Sequence, residues 1–112
     1  MTRNISFFLT KNAFVEKTKT VTRRLGWWHL KPGVVLCGAE KSMGLHKGEK
    51  IKRLGLIRVV NVRAEPLDAI TKDDCIREGF PEFLPQDFVR MFCRHNKCKP
   101  DRLVNRIEFE YL

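Results

Sequence analysis

Apolar residues along this chain fall into short runs, and the spacing within each run predicts its element. Ile5 to Leu9 is a compact β-branched and aromatic run that predicts a short buried strand. Thr10 can cap a short helix reaching Lys17, in which Ala13 and Phe14 face the core. A polar stretch, 18 to 24, follows, and Gly26 ends it. Lys31, Pro32 and Gly33 form a turn into an apolar strand from Val34 to Ala39. Leu54 to Val62 predicts a longer strand. Its Leu54, Leu56, Val60 and Val62 lie on one face and its Ile57 and Val59 on the other, so both faces are expected to be partly covered.

In the second half, Thr71 and Asp74 fit a capping box that opens a helix closed by Glu78 and Gly79. Pro81 and Pro85 bracket a loop, and Pro85 at a first helical position starts a helix over Gln86 to His95. Phe88, Val89 and Phe92 supply its core stripe. Finally Leu103, Asn105, Ile107, Phe109 and Tyr111 alternate with Val104, Arg106, Glu108 and Glu110, the pattern of a half-buried strand. Between the first and second halves, the glycine- and lysine-rich residues 41 to 53 predict a long solvated hairpin arm. Strands with interspersed short helices make this an α+β chain, expected to form a small mixed β-barrel with two or three short helices.

The 112 residues suffice for one domain spanning 1–112. The composition, 43% hydrophobic and 31% charged, is that of a soluble globular protein, and no apolar run approaches the roughly 20 residues needed to cross a bilayer. Met1 to Phe8 lacks a signal peptide's apolar segment, so a cytoplasmic location is expected, with no membrane partner. Cys37, Cys75, Cys93 and Cys98 are scattered among core residues and are expected to be reduced thiols. Cys93, His95 and Cys98 lack a fourth ligand nearby in sequence, so neither a metal nor another cofactor is expected.

Charge changes the picture. Residues 1 to 63 carry 14 Lys or Arg against 3 Asp or Glu, whereas residues 64 to 112 carry 8 against 10. The net charge of +9 is therefore concentrated in the first half, and a one-sided basic field attracts polyanions, making RNA or DNA the leading partner class.

The densest chemistry lies in that basic half. Lys19, Thr20, Val21, Thr22, Arg23 and Arg24 are followed by Trp27 and Trp28, bringing hydroxyls, cations and large aromatic faces into ten residues. A Thr hydroxyl becomes a nucleophile when a neighbouring base takes its proton, and a Lys serves as that base when burial or nearby cations lower its pKa. Arg23 and Arg24 are such cations. A carboxylate such as Glu78 can donate or relay a proton to a leaving amine. In an unbroken strand Lys19 and Thr22 would point to opposite faces, so this chemistry requires a bend or loop between them. The structural alternatives are Lys19 and Arg24 as solvated rim charges, Thr22 as a strand former, Glu78 as an unpartnered helix-end carboxylate, and the tryptophans as packing.

The element Lys19-Thr20-x-Thr22-x-Arg24, followed later by Ile70-Thr71 and Glu78-Gly79-Phe80, resembles the ASCH domain family of the PUA-like superfamily, and the likeness runs from Ile5 to Tyr111. The resemblance implies a PUA-like β-barrel with a cleft between barrel and helices, and an RNA-related function. Some small bacterial members hydrolyse N4-acetylcytidine with a Lys, a Thr and a Glu. The matching positions are Lys19, Thr22 and Glu78, the candidate catalytic residues. Thr20, Arg23, Arg24, Trp27, Trp28, Lys41 and Lys47 are the candidate contacts to RNA or a modified nucleoside. The chain departs from the family at Lys31-Pro32-Gly33-Val34 and in the longer arm from Lys41 to Arg53. Three readings follow: an amidohydrolase acting on an acylated cytidine, a ribonuclease acting on single-stranded RNA, and a non-catalytic RNA-binding module. The tryptophans are expected at the mouth of the cleft, and the protein is expected to be a monomer.

Overall fold

A computed structural model describes residues 2–40 and 48–112. Lys41, Lys47 and most of the expected arm lie outside the described residues. At the base of the arm the Glu40 amide donates to the Lys52 carbonyl at 2.9 Å.

Among the described residues five strands form one mixed sheet: β1 (Arg3–Ser6), β2 (Val21–Arg24), β3 (Val35–Ala39), β4 (Arg53–Pro66) and β5 (Leu103–Tyr111). Their order is β1-β3-β4-β5-β2, with β1 parallel to β3 and every other pair antiparallel. Three helices among the described residues accompany the sheet, α1 (Lys11–Val15), α2 (Lys72–Arg77) and α3 (Pro85–Asn96), with a 3-10 turn at Leu67–Ala69. The α+β class stands, but the closed barrel does not. Among the described residues no backbone ladder joins edge strands β1 and β2. Arg24 at the end of β2 instead donates through its guanidinium to the Ser6 carbonyl at the end of β1, so the two edges meet through a side chain.

Several boundaries differ from the sequence pattern for local reasons. The first strand stops at Ser6, the Phe7 amide still donating to the Ala39 carbonyl at 2.8 Å, because the chain then turns away, the Thr10 amide donating to the Phe7 carbonyl at 3.2 Å. Phe7 stays in the core, whereas Phe8 and Leu9 are exposed. Helix α1 is shorter than expected, and the Thr10 hydroxyl makes no capping bond.

Strand β4 is longer than its apolar run and carries two register shifts, one opposite Gly38 and Ala39 and one between Val59 and Asn61. A β-bulge reverses which alternate residues point inward. Leu54, Ile57, Val59 and Val62 therefore all reach the core, while Leu56 and Val60 face out. The expected two-faced split of this strand is thus replaced by a single inward set.

The core has two parts. Ile5, Phe7, Phe14, Ile57, Ile107 and Phe109 pack on one side of β5. Leu67, Cys75, Phe88, Phe92 and Val104 pack where α2 and α3 cover its other side. Strand β5 was expected to be half buried, but its central stretch is covered on both faces, burying Val104 and Arg106 together with Ile107. Gly38 in β3 lets the Phe14 ring lie against the sheet, since a Cβ there would stand 2.3 Å from the ring.

Candidate functional site

Lys19 and Thr20 precede β2 rather than belonging to it, and Thr20 is held on both sides. Its amide donates to the Arg77 carbonyl at 2.8 Å, and its carbonyl accepts from the Phe109 amide at 3.0 Å. The Tyr111 hydroxyl donates to the Lys19 carbonyl. Lys19 lies in this docked segment ahead of the strand that begins at Val21, and Lys19 and Thr22 line one cleft. Glu78 arrives from the end of α2, where Gly79, at φ +99, turns the chain sharply away. Lys19, Thr22 and Glu78 thereby line, with Arg23 and Arg24, one cleft of about 180 Å³, in which Lys19 contacts Glu78 and Thr22 contacts Arg24.

At its floor, Lys19 Nζ donates to Glu78 Oε1 at 2.8 Å and to the Glu78 carbonyl at 2.7 Å. Both side chains are almost fully enclosed, Lys19 at 2% and Glu78 at 3% exposure, which excludes the solvated-rim reading of Lys19. Arg23 donates to Glu78 Oε2 at 3.1 Å, to Glu65 at 2.8 Å and to Asp74 at 2.5 Å. Arg106 grips Asp74 bidentately at 2.7 and 3.0 Å. The negative charge of Glu78 at a helix C-terminus, unfavourable against the helix dipole, is thus offset by two cations. Thr22 Oγ1 accepts from Arg24 Nε at 3.0 Å, leaving the hydroxyl proton free to be given to another group.

Four cations, Lys19, Arg23, Arg24 and Arg106, face three carboxylates, Glu65, Asp74 and Glu78, leaving one net positive charge in a buried cluster. Burial pushes the Lys19 ammonium below its ordinary value; Glu78 opposes this, while Arg24 and Arg23 reinforce it. Burial also lowers Arg24 to about 10, still a cation at neutral pH. For Arg23, burial works against the charge, but Glu78, Asp74 and Glu65 together outweigh it and raise the pKa. Asp74 is held well below the usual carboxylate range, above all by its hydrogen bonds to Arg106, against the opposing effect of burial.

The other candidate residues are placed differently. Thr20 Oγ1 accepts from Arg77 Nε at 3.2 Å, and Thr20 does not line the cleft. Neither Trp27 nor Trp28 lines it either, so the expected tryptophan mouth is not found. The segment from Leu25 to Trp27 carries both indoles past the end of β2, where the Trp27 carbonyl accepts from Asn105 at 2.9 Å. The rim is instead built from Phe8 and Leu9, with Phe80, Met91 and His95 also lining the cleft.

Sequence reasoning missed Asp74, Glu65 and Arg106. The capping pattern half-explained Asp74: its amide does donate to Thr71 Oγ1 at 3.2 Å, but its carboxylate turns to the arginines instead of completing a capping box. For Arg106 the available signal was an arginine inside an otherwise apolar terminal strand.

No protein-family model matches the sequence, and neither does any curated protein. Similar solved structures include the following two. The crystal structure of a protein from Enterococcus faecalis V583, described by the family model DUF984, superimposes with a TM-score of 0.73 at 17% identity, covering 100% of this chain and 80% of that one. The crystal structure of an ASCH domain from Lactobacillus crispatus JV V101 superimposes with a TM-score of 0.61 at 14% identity, covering 97% of this chain and 78% of that one. At such identities the likeness is one of architecture, and the architecture that holds the Lys19–Glu78 cleft is the ASCH-domain fold.

Proposed function

We propose that the protein is an amidohydrolase acting on an N4-acylated cytidine, with Lys19 as base, Thr22 as nucleophile and Glu78 as proton donor. One observation carries this reading: Lys19 Nζ and Glu78 Oε1 share a 2.8 Å hydrogen bond in the cleft that Thr22 also lines. Moving one proton along that bond converts the ion pair into a neutral amine and a neutral carboxylic acid. Burial favours the neutral form of Lys19, and the Arg23 contact to Glu78 opposes the transfer. The single shift creates a base and an acid together, without any proton taken from solvent.

In the acylation step the Thr22 oxygen attacks the acyl carbon and its proton passes to Lys19 Nζ. The developing oxyanion is stabilised by the Arg24 guanidinium, already bonded to Thr22 Oγ1. The carbon–nitrogen bond breaks as the exocyclic nitrogen takes the Glu78 proton, releasing cytidine and leaving an ester on Thr22. Water then attacks the ester, giving its proton to Glu78, while Lys19 returns a proton to Thr22. Acetic acid leaves, and the initial protonation states are restored.

The cleft is smaller than the roughly 300–1,000 Å³ of pockets for drug-sized ligands, which suits a planar base with a short acyl group. Its surplus positive charge suits an electron-rich carbonyl and adjoining phosphates. Rapid quenching during turnover of N4-acetylcytidine, followed by peptide mass analysis, tests the covalent step. An acetyl group on the peptide carrying Thr22 is expected. Turnover with no acyl adduct on that peptide, under conditions that trap an ester, would remove Thr22 from its role.

A further inference from the structure

The tryptophan pair is left outside the cleft, and its placement is specific. Arg24 and Ser6, which bond across the two edge strands, both line the cleft. Three residues beyond Arg24 lies Trp27, and three residues before Ser6 lies Arg3, and these two meet again. The Arg3 guanidinium stands 4.4 Å from the centre of the Trp27 ring, and Arg3 donates to His29 Nε2. Trp27 adopts a left-handed backbone, φ 63, uncommon for so bulky a residue, with its carbonyl fixed by Asn105 and by the Leu30 amide. This turn leaves Trp28 at 51% exposure beside exposed His29. The Arg3 guanidinium over Trp27, its His29 partner, and the exposed Trp28 indole that follows in sequence are flat groups of the kind on which unpaired bases stack.

The two rungs are about 10 Å apart along β1, at about 3.3 Å per strand residue, which is about three steps of a stacked nucleic acid strand at about 3.4 Å each. We infer that Arg3, Trp27, Trp28 and His29 form a second subsite for a nucleotide two or three positions from the acylated cytidine. The natural substrate is then an N4-acylated cytidine within single-stranded RNA rather than the free nucleoside. This rests on the proposed function for the occupant of the cleft. The cleft takes the base, and the rest of the strand follows the seam between the two edge strands toward Trp28.

The test compares binding of N4-acetylcytidine with binding of a single-stranded oligoribonucleotide of about six residues containing it, followed by tryptophan fluorescence and by competition. The wild-type protein should bind the oligomer more tightly than the nucleoside, with quenching. Trp28→Ala should weaken the oligomer by roughly 5- to 150-fold and leave the nucleoside unchanged, and Trp28→Phe should restore most of the loss. Oligomer affinity unchanged in Trp28→Ala, or an oligomer bound no more tightly than the nucleoside, would overturn the subsite. The readout is independent of turnover. A protein that releases no acetate yet loses oligomer affinity in Trp28→Ala keeps the subsite and loses the proposed chemistry, and the reverse pattern keeps the chemistry alone.

Discussion

Lys19 and Glu78 are 59 residues apart in sequence, yet their side chains share a 2.8 Å hydrogen bond inside the protein. The contact is fixed by backbone on both sides, because Lys19 Nζ also donates to the Glu78 carbonyl and the Thr20 amide donates to the Arg77 carbonyl. The segment before β2 and the end of α2 are therefore docked as a unit. Burial of both charges makes the pair costly to break, and both residues line the cleft.

Removing one partner of a buried pair leaves the other charge uncompensated. Glu78→Ala is expected to destabilise the fold by about 3–5 kcal/mol, since both Lys19 and Arg23 lose their partner. Glu78→Gln, which keeps an acceptor oxygen, should cost less. Urea denaturation midpoints of the two variants check the order; equal midpoints to the wild type would mean that the pair is not buried as described.

Acid sensitivity should trace to Asp74 and Glu65, both of which are lowered in the folded state from their ordinary values of 3.8 and 4.5. A depressed carboxylate pKa means that the unfolded chain binds more protons, so this stability is present above pH 4.5 and is lost as pH falls through the folded values. Asp74→Asn should lower stability at neutral pH and flatten its decline below pH 3.8. A variant whose stability falls with acid as steeply as the wild type's would contradict this.

Gly79 sets the direction in which Glu78 leaves α2. A Cβ at this position would lie 2.9 Å from the Ala13 Cβ and would sit on a backbone at φ +99. Gly79→Ala is expected to cost about 1–3 kcal/mol and to displace Glu78. Thermal unfolding should show the loss, and turnover should fall more than unfolding alone explains. Wild-type stability would mean that α1 shifts freely.

The pH profile should report the Lys19–Glu78 pair. The mechanism needs the proton that Lys19 hands to Glu78, so the rate should fall once Lys19 has lost it to solvent at high pH. Because burial, Arg24 and Arg23 lower the Lys19 pKa, the alkaline limb should fall below the ordinary 10.5. Arg24→Gln removes one of those cations and should move that limb upward while reducing, without abolishing, the rate. An unmoved limb would separate Arg24 from the electrostatics of Lys19.

Much of this was legible in sequence because it rests on local signals. Apolar and alternating runs located β3, β4 and β5 and overlapped β1, whereas β2 lies in the polar stretch 18 to 24 and was not expected as a strand; Pro85 opened α3, and the element from Lys19 to Arg24 marked the cleft. What escaped depended on contacts across the sheet. The bulge near Val60 reverses side-chain parity without any glycine or proline at that position to announce it. Arg106 reads as the polar partner in an alternating strand until α2 is packed over it with Asp74. The tryptophans resisted placement because the left-handed turn at Trp27 follows from bonds to Asn105 and Leu30, the former 78 residues away.

Acetate released from N4-acetylcytidine by the wild type, Lys19→Met, Thr22→Ala and Glu78→Gln is the most direct test of the central claim. Each variant would first be shown folded. The account predicts release by the wild type and losses of at least about 10²–10⁴-fold in every variant, of similar size because the three act as a unit. No release by the wild type, with RNA retained or cleaved, would contradict it, as would a full rate in Thr22→Ala.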